Sequence, residues 1–560
     1  MKKIPWNIYP RPQMQRNSFL CLNGEWEFGF GSDTEHPVFD RTITVPFAPE
    51  SRASGLSLSH KDGEILCYRR TFTMEEDFLS DGEVVLHFGA VDQIARVYLN
   101  GELLGEHVGG YLPFSFPIRE KLLIGENTIV VLVRDDLDHT LPYGKQKKKR
   151  GGMWYTPVSG IWQTVWCEAL PKKAIRSVKI TQTMRSATLE FEADGEVSLT
   201  LCDGTQYQSL DKRIEIVPED PKLWSPENPY LYYFTATLEN DSIRGYFALR
   251  EIGVEQIGSY PRLTLNGEPY FFHALLDQGY FEDGIFLPEC PEVMEEDILR
   301  MKSLGFNTLR KHIKIEPMQY YHLCDKHGMV VFQDAVNNSD YSFLFDTALP
   351  TVGVLSKSDK RTHKNPIARR VFLETMCAMI EHLYNVPSLL YYTIFNEGWG
   401  QFDADGAYEI AKQADPSRIY DATSGWFLQT KSDVDSRHIY FKRLTHKKYK
   451  GYKTPLPFVI SEFGGYSLRV EGHTFGPDNY GYRIFKTKDE LTNALVSLYE
   501  DEVLPLIGEG LCASVLTQVS DVEDETNGLL TYDRAEIKVD IAPMRSISEK
   551  LWQAAQSLKQ

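Results

Sequence analysis

Three observations predict a multidomain chain of two β-sandwiches followed by a (β/α)8 barrel. The 560 residues exceed the roughly 250–300 at which one hydrophobic core stops growing, and about 150 residues per domain gives three or four domains. Up to about residue 255, short apolar runs alternate with polar residues and are broken by turn residues. Beyond it, strand-sized apolar runs alternate with helical periodicity. The expected boundaries are 1–172, 173–255 and 256–560.

In the first unit, the alternating runs Val84-Val85-Leu86-His87-Phe88 and Ala95-Arg96-Val97-Tyr98-Leu99 are strand-like, and Asn100-Gly101 after the second is a strong hairpin signal. Strands at roughly 8–12-residue spacing with little helical periodicity predict a sandwich. A second group, about 174–252, offers some seven short strands, which fits an immunoglobulin-like sandwich. After Gly253, apolar Val293, Ile298, Met301 and Leu304 lie at helical spacing and Gly305 closes that helix. Eight strands are expected near 269–275, 306–309, 329–332, 389–395, 418–421, 438–440, 458–461 and 512–517, with helices around 318–326 and 367–384 between them. That number of βα units over about 300 residues predicts a barrel, whose C-terminal strand ends carry the chemistry. The segment 335–366 is far longer than an ordinary βα connection and is expected to fold over that rim.

Composition narrows the function. Hydrophobic content of 42% and charged content of 25% are ordinary for a globular protein. No run approaches the roughly 18 apolar residues of a membrane helix, and no apolar stretch follows the lysines of MKKIPWNIYPRP, so a cytoplasmic protein is expected. A net charge of −18 disfavours nucleic acid as a partner, and the basic runs 145–150 (KQKKKR) and 446–453 (HKKYKGYK) are expected to be solvated loops. Eight scattered cysteines with no CxxC pair argue against a zinc site and a disulfide framework.

Two glutamates sit where a barrel carries chemistry. One apolar run ends in Ile394-Phe395-Asn396-Glu397-Gly398-Trp399, and another in Val459-Ile460-Ser461-Glu462-Phe463-Gly464. Each closes a short strand and is followed by a glycine and an aromatic residue. They lie 65 positions apart, three βα units, and so face each other across the barrel mouth. Paired carboxylates about one centre suit retaining glycoside hydrolysis, in which one protonates the leaving oxygen and the other attacks the anomeric carbon.

These residues, with Leu22-Asn23-Gly24-Glu25-Trp26, Phe88-Gly89-Ala90-Val91, Val97-Tyr98-Leu99-Asn100-Gly101, Gly109-Gly110-Tyr111, Gly125-Glu126-Asn127, Ser159-Gly160-Ile161-Trp162 and Phe247-Ala248-Leu249-Arg250-Glu251, form an ordered series along nearly the whole chain. The sequence thereby resembles glycoside hydrolase family 2, the β-galactosidase and β-glucuronidase family. The resemblance implies that the first unit is a jelly-roll sandwich and the third a TIM barrel. It implies Glu397 as acid/base, Glu462 as nucleophile, Asn396 as ligand of the sugar 2-hydroxyl and Arg310 as the cation that keeps Glu462 ionised. His438 and Tyr440 fall where the family keeps a His or Tyr near the nucleophile. No cofactor is implied; a structural Mg2+ or Na+ is possible but not placed, and a homo-oligomer is expected.

The pattern also departs from the family. At the end of the first barrel strand stands Ala274-Leu275-Leu276-Asp277-Gln278-Gly279-Tyr280, which offers Asp277 and Gln278 as polar groups for substrate. On the eighth strand Gln518 replaces a sugar-stacking tryptophan, and Trp399 and Trp154 are the aromatic candidates for stacking. Where glucuronidases carry Asn-x-Lys, this chain reads Glu525-Thr526-Asn527. A glutamate facing an anionic sugar would repel it, which favours a β-galactoside, unless Lys145 or Lys314 compensates. Glucuronidase, mannosidase and arabinosidase activities remain as alternatives, and so does a non-catalytic carbohydrate-binding protein.

Overall fold

The computed structural model describes residues 3–348, 358–360 and 362–559. Within the expected rim segment 335–366, residues 349–357 and 361 therefore lie outside the described residues. Residues 20–170 form the first sandwich. One sheet has four strands in the order Leu20–Cys21, Val165–Leu170, Glu83–Phe88, Phe114–Pro117. The other has six, in the order Arg41–Val45, Gly24–Gly31, Ile65–Met74, Gly125–Arg134, Ile94–Leu99, Glu102–Val108. Trp26, Phe28, Tyr68, Leu86, Val97 and Val131 meet between the sheets. Asn100 and Gly101 both take positive φ, +51° and +84°, and join Ile94–Leu99 to Glu102–Val108 as the hairpin expected of Asn-Gly. Seven strands in sheets of three and four make the second sandwich over residues 175–247, around Leu189, Phe191, Leu199 and Phe234.

A further three-stranded sheet was not evident in the sequence. Ile252–Ile257, Tyr260–Leu265 and Glu268–Pro269 pair antiparallel, where the apolar run at 269–275 suggested the first barrel strand directly. Leu263, Leu265 and Tyr270 pack with Phe332, Leu390, Val459 and Cys512, so this sheet lies against the floor of the barrel. The barrel strands are β1 (Phe272–Asp277), β2 (Thr308–Lys311), β3 (Val330–Asp334), β4 (Leu389–Asn396), β5 (Ile419–Ser424), β6 (Asp435–Ile439), β7 (Phe458–Gly464) and β8 (Leu511–Thr517). Seven of the eight junctions are parallel ladders, including β8 with β1. At the β5–β6 junction the Ser424 hydroxyl lies 3.0 Å from His438 Nε2. Helices follow six strands, whereas the connections 425–434 and 440–457 carry none.

The strands are almost wholly buried on both faces, as a helix-wrapped parallel sheet requires. Trp6, Phe47, Tyr111, Trp154, Tyr155 and Trp162 of the first sandwich share one apolar core with Leu275, Phe286, Phe395 and Trp399 of the barrel. The sandwich thus abuts the catalytic end of the barrel, and a loop of one domain can reach the mouth of the other. Among the described residues no helix is long and apolar enough to cross a membrane.

Candidate active site

The C-terminal ends of β2, β3, β4, β6 and β7 bring the site together. Glu397 follows the last residue of β4, and Glu462 stands inside the end of β7; both are buried. Glu397 adopts a left-handed φ of +53°, a conformation that costs a non-glycine residue about 1–3 kcal/mol. The next residue, Gly398, has φ +75°, and a Cβ there would lie 2.3 Å from the Phe427 ring. The Glu-Gly pair therefore turns the chain sharply off the strand.

His438 joins the two carboxylates, with Nδ1 2.8 Å from Glu397 Oε1 and 3.6 Å from Glu462 Oε2. One oxygen of each glutamate and this nitrogen all lie within 4.8 Å of one another. Among the described residues this is also the one grouping of three such side chains that could take a metal ion. Glu462 accepts from Arg310 Nη1 at 3.0 Å through Oε1 and from the Tyr440 hydroxyl at 2.8 Å through Oε2. Arg310 also donates to Asn396 Oδ1 (2.8 Å), to Asp334 Oδ1 (3.0 Å) and to the Ser461 carbonyl (2.9 Å). One guanidinium thus fixes Glu462, Asn396 and the end of β3.

Electrostatics follow from this geometry. Burial pushes the Glu462 carboxyl up, but His438, Arg310, His312 and the Tyr440 hydrogen bond together hold it below its ordinary value. Burial likewise works against the Arg310 charge, yet Asp334 and Glu462 outweigh it and raise its pKa. His312 Nδ1 donates to Asp334 Oδ2 over 2.7 Å, and burial drives the imidazole pKa down to about 4, so it is neutral near pH 7.

The remaining expected residues divide. Asn396, His438, Tyr440 and Arg310 converge on the two glutamates, although Tyr440 stands one residue past the end of β6. Asp277 is spent on structure: it accepts from Lys311 Nζ (2.7 Å), the Tyr320 hydroxyl (3.0 Å) and the Gly279 amide (2.9 Å). It therefore does not serve as the open rim group expected of it. Gln278 is buried with Oε1 unpartnered, and Gln518 donates to Asn527 Oδ1 at 2.6 Å while its own Oε1 is unpartnered. Trp399 and Trp154 stack on each other with centroids 5.3 Å apart, so Trp154 covers a face expected to be offered to sugar. Lys314 is enclosed by Glu316 and the Gly279 and Phe286 carbonyls. Glu525 does not stand as a bare charge, because it is bonded by the Tyr155 hydroxyl and by Asn527 Nδ2. Residues 147–150 are exposed, as expected of a solvated loop, whereas Lys145 and Gln146 of the same run are buried.

Sequence reasoning missed His312, Asp334 and the serines behind His438. Asp334 carried a usable signal, a charged residue closing an apolar strand. Ser424 and Ser461 carried none, since a serine hydroxyl 2.8 Å from another is visible only once β5 and β7 are neighbours of β6.

Fold and site together define a two-carboxylate (β/α)8 barrel protein preceded by two sandwiches. Residues 56–171 match the model of glycosyl hydrolases family 2, sugar binding domain, residues 164–250 that of glycosyl hydrolases family 2, and residues 289–534 that of its TIM barrel domain. The chain belongs to glycoside hydrolase family 2. A β-galactosidase of Enterobacter cloacae is 24% identical over 507 residues, 82% of this chain and 45% of the relative. One from Thermoanaerobacter pseudethanolicus is 29% identical over 295 residues, 48% of this chain and 39% of the relative. The chain thus spans less than half the length of these curated relatives. Among solved structures, a β-glucuronidase of an uncultured Clostridium species superposes with a TM-score of 0.75 at 17% identity, covering 98% of this chain and 99% of the other. A β-galacturonidase of Eisenbergiella tayi bound to galacturonate gives a TM-score of 0.68 at 18% identity, with the same coverage. At such identities these structures speak for the fold.

Proposed function

We propose that the protein is a retaining exo-β-glycosidase that removes a terminal β-linked sugar through a covalent glycosyl-enzyme. The observation that carries this is the approach of one Glu397 and one Glu462 oxygen to within 4.8 Å of each other. Retaining enzymes hold their carboxyl groups about 5–5.5 Å apart, and inverting ones about 6.5–9.5 Å to admit a water. Glu462, kept ionised by Arg310, attacks the anomeric carbon as its bond to the leaving oxygen breaks, and Glu397 gives that oxygen its proton. Glu397 then takes a proton from water, which attacks the same carbon and frees Glu462. Arg310 holds Asn396 where the sugar 2-hydroxyl would lie. No step requires a cofactor.

Four polar atoms support a hydroxyl-rich ligand: Asn396 Nδ2, Gln278 Oε1, Gln518 Oε1 and Trp399 Nε1 are buried and have no hydrogen-bond partner among the described residues. Buried polar groups are rarely left so. The relatives matched by sequence bear the name β-galactosidase and those matched by structure bear uronidase names, so the sugar must be argued from the site itself. The test is substitution of each glutamate, assayed on aryl β-glycosides with added azide. Glu462→Ala should lose at least about 10³-fold in kcat and give the α-glycosyl azide, and Glu397→Ala the β-azide. Wild-type turnover by Glu462→Ala would falsify the assignment.

A further inference from the structure

The segment between the sandwich strands Gly125–Arg134 and Gly160–Ile161 leaves the sandwich and docks on the barrel rim. Its hold there is extensive. Trp154 stacks on Trp399, Tyr155 donates to Glu525, the Thr156 amide donates to Glu523 Oε1 at 2.8 Å, and Arg150 reaches Asp524 at 3.1 Å. Gln146 ties the segment back to the sandwich: its Nε2 donates to Asp92 Oδ2 at 2.9 Å and its Oε1 accepts from the Val158 amide at 2.6 Å. The adjacent Lys145 carbonyl accepts from the Tyr155 amide at 3.0 Å. The backbone of Lys145 is therefore pinned on both sides.

Its side chain is only 6% exposed, and its ammonium lies 4.8 Å from the centre of the Trp399 ring, two residues beyond Glu397. Among the described residues this ammonium forms neither an ion pair nor a hydrogen bond, whereas every other lysine buried at the mouth is committed. Lys311 is held by Asp277 and Glu316, Lys314 by Glu316, and Lys538 by Asp521. The reach of Lys145 into the site is also felt at His312, which Lys145 pushes toward neutrality while Glu462 opposes it. Stacking over an aromatic ring leaves the donors of an ammonium unused, so the Lys145 headgroup at the mouth is available to an anion.

We propose that Lys145, supplied by the sandwich, is the specificity-determining residue of the sugar site and pairs with a carboxylate on the terminal sugar, so that β-uronides are preferred over neutral β-glycosides. This rests on the glycosidase function proposed above. A single ammonium suits a singly charged carboxylate better than a phosphate. Hydrogen bonds from the neutral Tyr155 hydroxyl and Asn527 amide satisfy the Glu525 oxygens without cancelling a carboxylate charge, so the Lys145 ammonium has to offset it.

The experiment compares the full-length protein with Lys145→Met, which keeps an unbranched stem over Trp399, and with Lys145→Arg. Each is assayed on aryl β-glucuronide, β-galacturonide, β-galactoside and β-galactoside 6-phosphate. The wild type should favour a uronide, and the ratio of uronide to galactoside kcat/KM should fall about 30-fold in Lys145→Met, chiefly through KM, as expected for one charge-assisted hydrogen bond. Lys145→Arg should recover part of that ratio. An unchanged ratio, a wild-type preference for the galactoside, or a preference for the 6-phosphate each overturns the proposal. Calorimetric titration with galacturonate and with galactose reads the pairing without turnover. If no aryl glycoside is cleaved but Lys145→Met abolishes galacturonate binding, the catalytic proposal fails and this one stands. If galacturonate binds both proteins equally, this one fails.

Discussion

Replacing Arg310 with methionine removes one cation and the hydrogen bonds it donates from the centre of the site while keeping an unbranched stem. The guanidinium contacts Glu462 at 3.0 Å, Asn396 at 2.8 Å, Asp334 at 3.0 Å and the Ser461 carbonyl at 2.9 Å, and it is 1% exposed. Removing one partner from a buried charge pair costs about 3–5 kcal/mol. At 1.36 kcal/mol per decade, a penalty of that size falling on the transition state lowers kcat/KM by about 10²–10⁴-fold. The pH profile distinguishes this from a loss of packing. In the wild type the Glu462 carboxyl lies below its ordinary value, so it stays ionised, and the rate holds, until the pH falls through that depressed pKa. Without the guanidinium, burial is opposed only by His438, His312 and the Tyr440 hydrogen bond; the pKa rises and the acid limb of kcat/KM moves to higher pH. The assay is kcat/KM on an activated aryl glycoside across the acid range, with circular dichroism and a urea melt alongside. An acid limb that stays in place in a folded Arg310→Met protein refutes the electrostatic role.

Other outcomes follow from the same contacts. Tyr440→Phe removes the 2.8 Å hydrogen bond to Glu462 Oε2, and a bond to a charged group is worth about 1.5–3 kcal/mol, so kcat should fall about 10–100-fold with the urea midpoint little changed. Gly279 has φ +69°, and a Cβ there would lie 2.1 Å from Glu316 Oε1. Gly279→Ala should therefore destabilise the fold by about 2–3 kcal/mol, read as a lower urea midpoint at unchanged m-value. A midpoint equal to the wild type would show that the Asp277–Lys311–Glu316 cluster is slack.

The features that were legible are those written within a few residues of one another. Alternation sets the sandwich strands, Asn100-Gly101 sets a hairpin, and an apolar run ending in Asn396-Glu397-Gly398 marks both a strand end and an acid. The floor sheet at 252–269 was missed because its first strand, Ile252–Ile257, lies largely open to solvent and does not sustain an apolar alternation along its length. Asp277 was misjudged for a different reason. A carboxylate at a strand end is the same in sequence whether it faces substrate or Lys311, and only the packing of β1 on β2 shows which.

By itself the sequence determined the class of fold and the two glutamates, because strand ends and turns are local properties of the chain. The tertiary structure decided what surrounds them. Arg310, His438 and Glu462 come from three strands as many as 152 positions apart, and Lys145 comes from another domain. Whether a charge is paired, buried or turned toward the mouth depends on neighbours brought in from that distance. That environment sets the carboxylate pKa and the charge presented to a substrate, and so it required the folded molecule.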